Sequence, residues 1–207
     1  SPTVGIALGA VFSALEVVPL SLLGFEAAHN LRVVNEGGTT YAYKWPIYFF
    51  VGVAFWNLVG AGVFGFLINP PIVLYYSQGI NTTPIHSHGA LFGVYGMLAI
   101  SLMLFSVRHI VTRASWSDRL LKYSFWGLNG GLAGMLVLSL IPSGFYQLYH
   151  AIREGLWFAR SPEIASGDFI RGVTWMRMLP DLLFAVGALS LLLFLVRATV
   201  LSFRKKA

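Results

Sequence analysis

The chain has 207 residues, of which 57% are hydrophobic and only 11% charged. Soluble domains carry about 25% charged residues, so this composition excludes a soluble globular fold and marks an all-α integral membrane protein. The net charge of +6 lies mostly in short segments between apolar runs, where Lys and Arg orient a membrane chain, so the partner is a lipid bilayer and no nucleic acid. The absence of cysteine removes disulfides, thiolate-held iron–sulfur clusters and covalent Cys-x-x-Cys-His haem.

Five apolar segments reach the roughly 20 residues needed to cross a bilayer as helices. The first lies near Val4–Ala27 and carries Glu16 close to its middle. A carboxylate at that depth costs a few kcal/mol, so it is functional or paired. Two readings stay open: a proton carrier or metal neighbour, and a structural carboxylate bonded to an adjacent helix. Pro19 follows within one turn and predicts a kink. The second segment, near Pro46–Ile68, contains Gly60, Gly62 and Gly65. The third, near Pro84–Ile110, opens with His86 and His88 and continues through Gly89, Gly93 and Gly96. These glycines let a neighbouring helix or a porphyrin approach closely. The fourth runs near Leu120–Ile141, followed by an expected interfacial helix from about Ser143 to Phe158 bearing Tyr146, Tyr149 and Trp157. The fifth lies near Leu179–Leu201, with Pro180 and Asp181 at its start. All 207 residues read as one membrane domain.

Basic residues alternate between the connections. Arg32 and Lys44 follow the first segment, and Arg108, Arg113, Arg119 and Lys122 surround the third connection. Arg204, Lys205 and Lys206 close the chain, whereas Asn69–Thr83 holds no Lys or Arg. The positive-inside rule therefore puts the C-terminus in the cytoplasm and His86 and His88 toward the outer side. Arg171 and Arg177 fall in the longer outer segment before the fifth helix. The sequence opens Ser-Pro and enters an apolar helix at once, which carries the expectation that it is the C-terminal portion of a longer subunit.

The paired histidines are the most informative feature. An α-helix turns about 100° per residue, so positions two apart lie about 200° apart. Two such imidazoles do not chelate one metal. They serve two, one on each side of the helix, and imidazole is a common axial ligand of haem iron. A helix held between two haems makes both rings useful.

Trp45-Pro-Ile-Tyr-Phe-Phe, the run Asn57-Leu-Val-Gly-Ala-Gly-Val-Phe-Gly-Phe-Leu-Ile-Asn and Thr83-Pro-Ile-His-Ser-His-Gly-Ala-Leu-Phe-Gly-Val-Tyr-Gly together resemble the nitric oxide reductases of the haem–copper oxidase superfamily. The phrasing around the histidines is closer to the single-chain, quinol-dependent type. The resemblance implies the last five helices of a twelve-helix bundle in the inner membrane of a bacterium, partnered by the N-terminal helices of the same catalytic subunit. It implies a low-spin haem b, a high-spin haem b3 and a non-haem iron, with NO and quinol as substrates in denitrification.

Carried over by residue, His86 resembles the proximal ligand of haem b3, and His88 one axial ligand of the low-spin haem b. Gly89 lies beside them against the cofactor. Glu16 matches the buried glutamate near the non-haem iron. Asp181 resembles an acidic residue of the quinol site, although an Asp beside Pro180 also suits a helix start. The three histidines that hold the non-haem iron, and the second ligand of haem b, match no position here, so the segment alone is expected to be inactive. A cytochrome c-dependent reductase, an oxygen-reducing oxidase, a haem b electron carrier and a transporter remain alternatives.

Overall fold

The computed structural model describes residues 2–36 and 42–204. Among them there is no strand, and five helical spans are long and apolar enough to cross a membrane: α1 (Thr3–Glu36), α2 (Lys44–Ile68), α3 (Thr82–Ile110), α4 (Asp118–Glu154) and α5 (Asp168–Ser202). The chain is thus a multi-pass, all-α membrane protein. Helices are the form that satisfies every backbone polar group inside the segment, which a bilayer demands.

The spans are longer than the apolar stretches alone predict. α1 runs past Ala27 to Glu36, because nothing in 28–36 breaks a helix and the Asn30 side chain donates to the Glu26 carbonyl at 2.9 Å. α4 does not stop at Ile141. It passes Pro142 through a π-helical segment, Leu136–Leu140, and continues to Glu154. The looser register there absorbs the hydrogen bond that Pro142 cannot donate. The expected separate helix from Ser143 to Phe158 is therefore the end of α4, broken at Gly155 (φ 98°) and followed by the short turn Leu156–Ala159. α5 begins at Asp168, about eleven residues before its apolar stretch, with an amphipathic segment, Asp168–Met176.

Two prolines interrupt spans in the same way. Pro19 offers no N–H to Leu15, and α1 breaks into a turn at Glu16. Pro180 offers none to Met176, and α5 turns at Arg177, whose N–H bonds back to the Thr174 carbonyl at 3.2 Å. Each break falls three residues before its proline, and each carries a charged side chain.

α4 is the central rod. In its most apolar window 56% of residues are buried, against 6% in α1, so α4 packs against protein while α1 presents most of its surface outward. The core joins Phe49 and Trp56 of α2, Ile85, Met97 and Leu104 of α3, Leu121, Leu128 and Leu132 of α4, and Phe194 of α5. Two crossings bring backbones into direct contact. A Cβ on Gly60 would lie 2.6 Å from the Gly89 Cα, and one on Gly127 would lie 2.6 Å from the Gly187 Cα. Small residues at such crossings replace the hydrophobic drive that lipid removes.

Candidate functional site

The first turns of α3 are held from three directions. The buried Gln147 side chain accepts from the Asn81 N–H at 2.8 Å and donates to the Ala159 carbonyl at 3.2 Å. The Thr82 hydroxyl donates to the Ser77 carbonyl at 3.1 Å. Gly144 of α4 lies so close that a Cβ there would sit 2.9 Å from the Thr82 nitrogen. The helix start that carries the histidines is therefore fixed before any cofactor is considered.

Both imidazoles are half-buried and oriented by backbone carbonyls. His86 Nδ1 lies 2.9 Å from the Gly60 carbonyl oxygen on α2. His88 Nδ1 lies 2.9 Å from the Pro84 carbonyl oxygen one turn back. A carbonyl only accepts, so Nδ1 is the donor in each contact and Nε2 is the nitrogen left to bind elsewhere. Neither Nε2 has a hydrogen-bond partner among the described residues.

The two rings address different neighbours. His86 rests on α2, where a Cβ on Gly65 would meet its Cε1 at 3.1 Å. His88 lines an open pocket of about 370 Å³ with Phe92, Leu132, Met135, Phe184, Arg177 and Asp181, between α3, α4 and α5. Arg177 Nε donates to the Asp181 carboxylate at 3.2 Å, and its Nη2 reaches the Met135 sulfur at 3.8 Å. Asp181 also borders a second, outward pocket with Trp175, Met178 and Leu182. Gly89 packs on Gly60, at the helix crossing. The structure thus brings His88 and Asp181 to one pocket and sets His86 and Gly89 against α2. Glu16 joins neither group: it is exposed at the break in α1, with no side-chain partner among the described residues.

The model of the family described as Cytochrome C and Quinol oxidase polypeptide I matches residues 1–198. The chain belongs to that family. Over 198 residues it is 25% identical to a nitric oxide reductase subunit of Stutzerimonas stutzeri, an alignment covering 90% of this chain and 39% of that protein. The chain therefore spans well under half the length of the curated relative it matches.

The side chains around His88 suit a haem, and His86 presents an oriented imidazole against α2. Each ring is oriented through its Nδ1 and leaves Nε2 as the nitrogen that could reach iron. The His88 pocket is lined by apolar Phe92, Leu132 and Phe184, the two rings packed edge-to-face at 4.7 Å, with Arg177 also in the lining, a suitable partner for carboxylate groups. Gly65 keeps space against the His86 ring that any larger residue would contest. Among the described residues no three His, Asp or Glu side chains gather as a metal-binding group, so a non-haem iron would take most of its ligands from elsewhere. The orienting carbonyls of Gly60 and Pro84 were not readable from sequence, since every residue has a carbonyl. Gln147 and Asn129 carried a visible signal, each being an amide inside an apolar run.

Proposed function

We propose that this chain is the C-terminal portion of a membrane nitric oxide reductase, which joins two NO molecules, two electrons and two protons into N2O and water. His86 would hold the high-spin haem b3, and a non-haem iron would take its ligands mainly from the N-terminal helices of the same subunit. His88 binds the low-spin haem b. Haem bound at these positions would supply redox iron and, at His86, a place for NO to bind. The observation that supports this best is the pair of Nδ1-pinned imidazoles, two residues apart, presenting free Nε2 atoms to different neighbours.

Each remaining residue has a physical task. The Gly60 and Pro84 carbonyls fix the tautomer and ring plane of their histidines and raise the basicity of the ligand. Phe92, Leu132 and Phe184 give the His88 side an apolar lining. Arg177, held by Asp181, offers its remaining guanidinium donors to haem carboxylates. Asp181 borders both the His88 pocket and the outward pocket at Trp175, which suits an acceptor for a proton released by quinol. Glu16 would help set the field at the non-haem iron or relay a proton toward it. Activity belongs to the complete catalytic subunit in the inner membrane, with the C-terminus of this chain in the cytoplasm.

A second reading has its own support. The Stutzerimonas stutzeri relative is named as one subunit of its reductase, which favours an enzyme of more than one chain; a cytochrome c-dependent reductase is the alternative. One experiment decides between the readings. NO and O2 consumption by the complete enzyme are measured side by side, with quinol or reduced cytochrome c as donor, alongside iron and copper analysis. NO consumption with quinol and no copper supports the proposal. Rapid O2 reduction with copper present, or a purely low-spin haem spectrum without turnover, overturns it.

A further inference from the structure

Between α2 and α4 runs an apolar groove of about 360 Å³ that neither histidine lines. Val51, Gly52, Phe55 and Trp56 form one wall, and Phe125, Trp126, Asn129 and Ala133 the other. Its two polar side chains are turned inward and satisfied. Trp56 Nε1 donates to Asn129 Oδ1 at 2.8 Å, and Asn129 Nδ2 donates to the Phe125 carbonyl at 2.8 Å. The groove therefore offers hydrocarbon and ring surface and no hydrogen-bonding group. Phe55 and Trp126, both more than half exposed, stand on opposite lips.

One end of the groove is cationic. Arg119, Lys122, Tyr123 and Trp126 share one exposed stripe of α4, at the spacing of a helix face. At about 1.5 Å rise per residue, Lys122 stands about 6 Å and Arg119 about 10 Å above Trp126. Lys44 stands about 10 Å above Val51 on the facing helix by the same rise. Its ammonium lies 5.8 Å from the Tyr48 ring, which packs edge-on to Phe125 across the α2–α4 seam. Arg119 lies 5.7 Å from the Tyr123 ring and donates to its hydroxyl at 3.3 Å. None of Lys44, Arg119 and Lys122 forms an ion pair among the described residues.

We propose that this face is a binding site for one anionic phospholipid, independent of the haem reading. The phosphate lies between Lys44 and the Arg119–Lys122 pair. Tyr48 and Tyr123 flank it at the depth where amphipathic rings collect. One acyl chain enters the groove beneath, between Phe55 and Trp126. Charge complementarity selects the occupant: three unpaired cations call for an anionic head, and the apolar slot below them calls for a tail. A zwitterionic lipid brings its own cation to the same place and is disfavoured. The groove's satisfied polar pair leaves a quinone-like or other polar head nothing to bond inside it.

The test uses the complete enzyme, purified in mild detergent, delipidated, and titrated with phosphatidylglycerol or phosphatidylcholine while retained lipid is counted by native mass spectrometry. The expected result is one phosphatidylglycerol held through washing, on the order of tenfold more tightly than phosphatidylcholine. Lys44→Gln with Lys122→Gln removes that preference. Val51→Trp fills the groove, leaves every cation in place, and also removes retention. Phosphatidylglycerol with a photoreactive acyl chain labels peptides containing Phe55 or Trp126. Equal retention of the two lipids, retention unchanged in Val51→Trp, or labelling only elsewhere overturns the proposal. So does a crosslink showing that a protein segment fills the groove. Unchanged thermal unfolding of Val51→Trp guards against loss by misfolding.

Discussion

His86 Nδ1 meets the Gly60 carbonyl at 2.9 Å inside the stretch of α2, Asn57–Val63, that leaves the α-helical register for a π-helical one. The same stretch touches Gly89, so the carbonyl that orients the ring belongs to the helix crossing itself. Crossing distance and ligand orientation are one variable. Gly65 tests this, because even an alanine there places a Cβ 3.1 Å from the His86 Cε1. Gly65→Val should push the ring off its carbonyl and weaken the haem proposed at His86 on the order of tenfold, the usual scale for disturbing the support of a ligand. The low-spin spectrum from His88 should stand. Optical and paramagnetic-resonance spectra of the two haems check the split.

Direct removal of each ligand should give opposite losses. His86→Ala should lose the high-spin haem and keep the low-spin spectrum, and His88→Ala should do the reverse. The two rings face different neighbours, so neither loss should carry the other with it. If both signals survive either change, the ligand assignment is wrong.

Asn129 predicts a stability effect away from the haems. Trp56 is almost wholly buried, and its indole N–H has Asn129 Oδ1 as its partner. Asn129→Leu should orphan that donor and cost about 1–3 kcal/mol. Adding Trp56→Phe removes the orphan, so the double variant should be less destabilised than the two single losses added together. Thermal unfolding in detergent across the four proteins measures the coupling.

The fold was readable where composition decides it. Runs of apolar residues about twenty long admit only helices in a bilayer, so the five spans could be counted from sequence. Their ends were not, because hydropathy reports where lipid stops and a helix does not have to stop there. Ala28–Glu36 and Asp168–Met176 are polar enough to leave the membrane and carry no residue that breaks a helix. Pro142 looked like a terminus, yet a π-helical segment carried α4 past it. At the site, the spacing of His86 and His88 foretold their divergence, since it follows from helix geometry alone. What pins the rings did not show, because backbone carbonyls have no signature in sequence. Asp181 was legible as an acid beside Pro180, and its pairing with Arg177 follows the four-residue spacing that sets two side chains on one helix face.

Asp181 separates its two readings by donor. The Arg177–Asp181 pair is about one-third to one-half exposed, so Asp181→Asn should cost under about 1 kcal/mol in stability. If Asp181 takes the proton of quinol, turnover with quinol should fall while turnover with a small artificial reductant stays. A residue that only starts the helix would leave both rates alike. Steady-state NO consumption with each donor, alongside the unfolding temperature, makes the distinction.

Glu16 carries the sharpest catalytic prediction. Pro19 removes a backbone hydrogen bond at the point where Glu16 leaves the helix, so the carboxylate sits on an opened turn inside a membrane span. A carboxylate facing hydrocarbon there would cost a few kcal/mol, which the chain has no reason to bear unless the group acts or meets a partner. Glu16→Gln keeps the shape and hydrogen-bonding capacity but can neither take nor release a proton at neutral pH. It should abolish turnover while both haem spectra remain. Glu16→Ala should do the same, with no additional loss of haem. Normal NO consumption in Glu16→Gln would leave the residue a structural role only, as a hydrogen-bonding group toward a neighbouring helix. Reduced stability together with normal turnover per folded enzyme would identify that role directly.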